Sequence, residues 1–374
     1  MRRFLIILFA VAWTSLLHAQ PVIKINSSDN LPEQFKTILN KDCLNSNCWI
    51  GYSIQRNDKH RIMVGSFYCN DKFKAISLKD IITNKQRAQD FESLISKISR
   101  KRSSGTTFIT NFSMSVNTKK EVDKETAILF MYDNNSKSIN DFREIGICNL
   151  SNNFDLQGYP LIWLGLQDNQ KSVNFLLNNF NNATELHTKK ALAAAIGIHT
   201  GQPKVTAFLT KLITSKEDSE LRKDVAFWLG LQNNQEALNV LKQVVDSDDI
   251  LEVRKNAVWG IGYIELPEAL DDLIDIAKHN RQSELRKNAI YALGNKAIKK
   301  AEETLKDVID NDPDVEIKKT AVYALANNSD DNIPYLINIA KTNPSLEIRK
   351  CAIYSLSNSG DERALNALID LARH

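Results

Sequence analysis

In the stretch LRKDVAFWLG over 221–230, the apolar residues Leu221, Val225, Ala226 and Leu229 recur at the three- and four-residue spacing that collects them on one face of a helix. The same pattern returns as VRKNAVWGIG at 253–262, LRKNAIYALG at 285–294, IKKTAVYALA at 317–326 and IRKCAIYSLS at 348–357, with weaker copies at 189–197 and 157–165. A small residue closes each copy at Gly165, Gly197, Gly230, Gly262, Gly294, Ala326 and Ser357, so the intervals run 32, 33, 32, 32, 32 and 31 residues. Each copy follows a second amphipathic segment, such as NQEALNVLKQVVD at 234–246, LPEALDDLIDIAKH at 266–279 or DNIPYLINIAK at 331–341. Two helices per period make one repeat. A single pair of this length cannot bury its apolar face, whereas stacked pairs share one continuous core, so the pattern predicts an α-solenoid of seven periods.

The second helix resembles that of the short HEAT-like repeats, the kind also seen in phycobilin lyases, which reads roughly E-V-R-x-x-A-x-x-A-L-G. Glu252, Val253, Arg254, Ala257 and Gly262 match it, as do Glu284, Leu285, Arg286, Ala289, Leu293 and Gly294. The resemblance covers about residues 158–374. It implies a right-handed stack whose second helices line a concave surface, as in exported bacterial HEAT-repeat proteins. Such repeats serve many partners, so it implies a fold and names no ligand.

Helical geometry sorts the remaining columns at 100° per residue. Arg222, Arg254, Arg286, Lys318 and Arg349 fall at the edge of the apolar arc and are expected to be structural, meeting a carbonyl or an acid at the junction between repeats. Lys223, Lys255, Lys287, Lys319 and Lys350 point outward, but Glu220, Glu252, Glu284, Glu316 and Glu347 stand three residues earlier, where they suit the first turn and neutralise the lysines. Phe227, Trp259, Tyr291, Tyr323 and Tyr354 lie about 140° round from the arginines, away from the core. Large aromatics in an exposed row are typical binding anchors, with Trp259, Tyr291 and Tyr323 at the centre and Lys255, Lys287 and Lys319 beside them. The competing reading is that each ring covers the lysine four residues before it, or the next helix, and merely seals the groove.

Upstream of the repeats, residues 1–19 read as a signal peptide: Arg2 and Arg3, an apolar run from Phe4 to Leu17, then the small Ala19. Residues 20–155 lack the period and read as a small α+β domain. LPEQFKTILNKD suggests a helix, QRAQDFESLISKISRKR a second, and CWIGYSIQ, RIMVGSFYC, TTFITNFSMSV and TAILFMYD suggest strands. Residues 156–374 are then assigned to the solenoid.

Cysteines follow the same division. Cys43, Cys48, Cys69 and Cys148 all lie in the first domain, and in an oxidising compartment they read as two disulfides. A hairpin through 57–60 would set Cys48 opposite Cys69 and leave Cys43 for Cys148; a single bulge would favour Cys43 with Cys48 and Cys69 with Cys148. Cys351 aligns with Asp224, Asn256, Asn288 and Thr320, so a free, partly exposed thiol is expected there.

Charge and motifs narrow the function. Removing Arg2 and Arg3 from the 48 basic residues leaves 46 against 45 acidic ones, a balance that argues against nucleic acid or an anionic membrane as the partner. No H-E-x-x-H, G-x-S-x-G, phosphate loop or dinucleotide fingerprint is present, and no cofactor or metal is expected. The reading is an exported protein, periplasmic or secreted and without a membrane span after signal cleavage, which binds a protein or peptide through its second helices and acts as a scaffold. The alternatives are an enzyme with an unrecognised site in the N-terminal domain, the solenoid docking its substrate, and a phycobilin-lyase-like activity.

Overall fold

The computed structural model describes residues 22–24, 30–41, 47–55, 76–77, 125–135, 138–146, 150–151 and 159–373. They form two compact units that divide between Asp168 and Asn169. The stretch expected to be a signal peptide lies outside the described residues, as do Cys43, Cys69, Cys148 and the segments RIMVGSFYC, QRAQDFESLISKISRKR and TTFITNFSMSV.

In the first unit, β1 (Val22–Lys24), α1 (Leu31–Lys41), β2 (Cys48–Gln55), β3 (Ile76–Ser77), β4 (Glu125–Asp133), β5 (Ser138–Gly146), β6 (Leu150–Ser151) and β7 (Leu161–Gln167) follow in chain order. The main sheet runs β1-β7-β2-β4-β5, and β3 pairs with β6 apart from it. β7 is parallel to both of its neighbours, whereas β4 is antiparallel to β2 on one side and to β5 on the other. One face packs Trp49, Leu129, Met131, Leu161 and Trp163 together. On the other, Phe35 from α1 meets Phe130 edge-on at 6.3 Å, and Tyr52 lies beside the same ring. With both faces covered, β2 is buried from Cys48 through Ile54, the near-continuous apolar run of a central strand.

Two expectations are corrected here. The segment 157–165 is no repeat, because LIWLGLQ forms β7, and Gly165 belongs to a strand rather than to the end of a helix. A run of seven mostly apolar residues is too short for the helical period and suits a strand buried on both faces. The boundary therefore lies near 168 rather than 155. The hairpin register that set Cys48 opposite Cys69 also fails, since β4 occupies one edge of β2 and β7 the other. Cys48 is disulfide-bonded, and the cysteines proposed as its partners all fall outside the described residues.

The second unit is a stack of helix pairs: α2 (Asn169–Asn182) with α3 (Leu186–Gly197), α4 (Pro203–Ile213) with α5 (Ser219–Gly230), and α6 (Gln235–Ser247) with α7 (Leu251–Tyr263). Then come α8 (Pro267–His279) with α9 (Ser283–Gly294), α10 (Lys299–Asn311) with α11 (Val315–Asn328), α12 (Ile333–Thr342) with α13 (Leu346–Asn358), and a single helix, α14 (Glu362–Arg373). The predicted solenoid is present, with six pairs rather than seven periods among the described residues. The columns opened by Leu221, Val225, Ala226 and Leu229 are sealed from solvent in repeat after repeat. Between α5 and α7 the backbones themselves meet: a Cβ on Gly260 would stand 2.6 Å from the carbonyl oxygen of Ala226, so only glycine allows that approach. Second helices pack on second helices more extensively than first helices pack on first.

The turn inside four of the six pairs is built from one device. Asp248, Asn280, Asp312 and Asn343 each accept, at 2.9–3.0 Å, the backbone N–H two residues on, which bends the chain between first and second helix. Asp218 and Asp314 cap the following helices in the same way, accepting from Glu220 and Glu316.

Candidate partner-binding face

The arginine row lies at the inner edge of the second helices. Arg254 Nε donates to the Val245 carbonyl at 2.6 Å, Arg286 Nε to that of Ala277 at 3.0 Å, and Lys318 Nζ to that of Asp310 at 2.8 Å. Each of these acceptors is an orphan carbonyl at the end of the first helix of the same repeat. Arg222 and Arg286 also form ion pairs with Asp248 and Asp312, turn residues of the next repeat. The side chains of the second pair are only 13% and 6% exposed, so this guanidinium couples two repeats in a poorly hydrated junction. Arg349 turns to the Asn343 carbonyl at 2.6 Å and that of Pro344 at 3.2 Å.

Outward, all five lysines meet their glutamates three residues back, at 2.6 Å for Lys223, 3.0 Å for Lys255 and Lys287, 2.9 Å for Lys319 and 3.3 Å for Lys350. The hydrogen bond that Lys319 donates to the Glu316 carboxylate holds its ammonium above the ordinary pKa, so it stays charged and paired. The aromatic row divides. Phe227, Trp259 and Tyr323 are half-buried. Trp259 Nε1 donates to Asn288 Oδ1 of the next repeat at 2.7 Å, and Cys351 Sγ donates to Tyr323 Oη at 3.3 Å. Those rings clamp one second helix to its neighbour. By contrast Tyr291 is 40% exposed and Tyr354 62%. The cation–π contacts among the described residues involve Phe180 and Tyr335, so the rings of this row do not lie over their own lysines.

A family model of HEAT repeats matches residues 209–294 and 302–374. The chain contains HEAT repeats. The complex of CpcE and CpcF of phycocyanin lyase from Nostoc sp. PCC7120 is similar in structure at 20% identity, covering 41% of this chain and 99% of that one with a TM-score of 0.32. Human deoxyhypusine hydroxylase in complex with glycerol is similar at 17% identity over 54% and 78%, with a TM-score of 0.25. No curated protein matches the chain in sequence.

Two features of this HEAT face escaped sequence reasoning. Tyr263, 46% exposed, stands four residues after Trp259 and meets Phe227 edge-on at 5.0 Å, adding a ring that no other repeat supplies at that position. Its i+4 spacing from Trp259 was the available signal. Cys351 is free but only 4% exposed, not partly exposed as expected, because its column faces the ring of the preceding repeat. The thiol hydrogen bond, followed by burial, pushes the Tyr323 phenol up to about 12, so it remains neutral at physiological pH.

Elsewhere the polar chemistry is structural. His199 bonds to the Ala195 carbonyl through Nδ1 and to Ser172 Oγ through Nε2, both at 2.9 Å. Burial drives its pKa down to about 4, so the ring is neutral and ties α3 to α2. Gln232 and Asn328 reach back across a repeat to the carbonyls of Gly197 and Gly294, at 2.8 and 3.0 Å. Lys296 does the same at Ile264. A cavity of about 330 Å³ opens beside the Arg222–Asp248 pair, lined also by Thr214, Ser215, Lys216 and Gln243. It is the arginine junction of one repeat and brings no nucleophile together with a base. Among the described residues no cluster of three or more His, Cys, Asp or Glu side chains is placed to hold a metal ion. No described helix is long and apolar enough to cross a membrane.

Proposed function

We propose that this chain is a scaffold that binds a protein or peptide across the outward face of its second helices, anchored on Tyr263, Tyr291 and Tyr354 with Phe227, Trp259 and Tyr323 as the floor between them. One observation carries the reading: Tyr263, Tyr291 and Tyr354 stay 40–62% exposed on a face where every lysine of the repeat row is already neutralised by its glutamate. The attraction this face has left to offer is burial of aromatic surface, together with tyrosine hydroxyls and amides that take hydrogen bonds from a partner's backbone. Lys255, Lys287 and Lys319 act here as rim rather than as a basic stripe, which favours a partner without strong negative charge over nucleic acid. The basic, apolar and small-residue order of residues 1–19 supports export, so the partner is sought in the periplasm or the secreted fraction.

The test compares the whole chain with a Tyr263→Ala, Tyr291→Ala, Tyr354→Ala variant and with Lys299→Ala, which removes an 87% exposed first-helix side chain. Proteins crosslinked from the envelope and secreted fractions are quantified for each. A true anchor costs on the order of 2 kcal/mol when truncated, about thirtyfold in affinity. Capture by the tyrosine variant should therefore collapse while the Lys299 variant captures as before. An unchanged captured set with the tyrosines removed places the binding surface elsewhere.

A further inference from the structure

One turn of the stack departs from the rest, and a cavity opens beside it. Between first and second helix the chain spends residues 183–185, 248–250, 280–282, 312–314 and 343–345 in the other pairs, but 214–218 between α4 and α5. The longer turn changes what caps α4. Thr214 Oγ1 donates to the Thr210 carbonyl at 2.9 Å and Ser215 Oγ to that of Leu212 at 2.7 Å. The turn's own hydroxyls thus meet helix-end carbonyls of the kind that Arg254 and Arg286 meet in the repeats that follow. Arg222 is left with Asp248 alone, and its Nε is buried without a hydrogen-bond partner among the described residues. The cavity of about 330 Å³ lies against this guanidinium, at the lower end of the size range of small-molecule sites.

We propose that this cavity binds a small zwitterion, a carboxylate and an ammonium joined by a short spacer, as in a free amino acid or a short peptide. Its charges select that class. Arg222 and Asp248 neutralise each other, whereas Lys216 and Asp249, both exposed in the lining, form no ion pair among the described residues. A ligand of one sign alone would gain at one of these two and be repelled by the other, and a zwitterion satisfies both. The hydrogen-bonding groups agree. Lys216 and the unused N–H groups of Arg222 only donate, which suits a carboxylate. Thr214, Ser215 and Ser247 have committed their hydroxyl protons to backbone carbonyls, so they can only accept, as can Asp249, which suits an ammonium. No residue of the aromatic row lines the cavity, so this site is separate from the partner face proposed above.

Isothermal titration of the full chain with L-alanine, L-glutamine and alanylalanine, each to about 10 mM, registers a Kd as weak as about 1 mM, and a rise in Tm is the second readout. Propionate and ethylamine are alanine without its ammonium and without its carboxylate. At least one of the three zwitterions should bind, and both halves should bind about tenfold more weakly than it, or not at all. Tighter binding of the dipeptide assigns the site to peptide ends, and tighter binding of an amino acid to free amino acids. Lys216→Ala and Asp249→Asn, both surface changes, should each weaken binding about fivefold, the upper scale of a solvent-accessible ion pair, while Lys299→Ala binds as the unaltered chain does. Neither heat nor a rise in Tm with any of the three zwitterions overturns the proposal. So does a half that binds as tightly as the whole, or binding indifferent to both the Lys216 and the Asp249 variants.

Discussion

The arginine row and the aromatic row occupy the same five helices, repeat with the same period and stand about 140° apart, yet they do different work. Arginines at the inner edge are mostly shielded from water, and their partners are fixed: an orphan carbonyl of the first helix at Arg254 and Arg286 and, at Arg222 and Arg286, a carboxylate of the next repeat. The aromatic row is mixed, with Trp259 and Tyr323 tied to the next helix while Tyr291 and Tyr354 face solvent. Regular repetition in a solenoid thus marks a position that must satisfy its neighbours. Exposure, not regularity, separates a binding surface from a joint.

The strongest way to break this contrast is at the inner edge. Arg286→Ala leaves Asp312 and the Ala277 carbonyl without their partner in a junction that is nearly dry, and should cost about 3 kcal/mol in urea unfolding. A loss below about 1 kcal/mol would show the pair to be hydrated and the row ornamental. An effect of similar size is expected at the buried imidazole of His199. Its folded pKa of about 4 lies below the ordinary 6.5, so between those values the unfolded chain binds more protons than the folded one. This contribution is intact above about pH 6.5 and fades as pH falls through that window, the loss reaching about 3 kcal/mol once pH is below 4. His199→Gln should remove that part of the acid sensitivity, seen as a flatter dependence of Tm on pH between 6.5 and 4. A parallel curve would mean that the ring is hydrated.

Smaller effects sharpen the outer side. Trp259→Phe keeps the ring and removes one hydrogen bond to Asn288, so about 1 kcal/mol of stability should go, with helicity unchanged by circular dichroism. Tyr291→Ala should move Tm little, and a drop as large as that of Trp259→Phe would make it a second clamp. Smallest of all, Lys287→Gln breaks an exposed i,i+3 pair and should cost about 0.3 kcal/mol, less still in high salt.

The two units also differ in what could be read in advance. In the repeats each contact lies within one or two periods along the chain, so columns such as Leu221 and Val225 announced the core, and the glutamates three residues before the lysines announced their pairing. In the sheet unit, neighbours come from distant segments. β2 lies between β4 and β7, which follow it by roughly 80 and 110 residues, and no local spacing signals such a partner. The hairpin reading failed for that reason, and so did the helical reading of 157–165. A short apolar run carries the same letters whether it is buried as a strand or as a turn of helix.

What the sequence determined by itself was the period, the inward and outward columns of each second helix and the small residues where helices meet. All of these follow from a geometry of 3.6 residues per turn repeated along the chain. Tertiary structure alone decided which rings of one column remain in water. Tyr291 and Trp259 occupy equivalent positions, and they differ because the next repeat offers Trp259 the amide of Asn288. It likewise hid Cys351 behind Tyr323, because burial depends on what a neighbour brings to the contact and not on the residue's own place in the pattern.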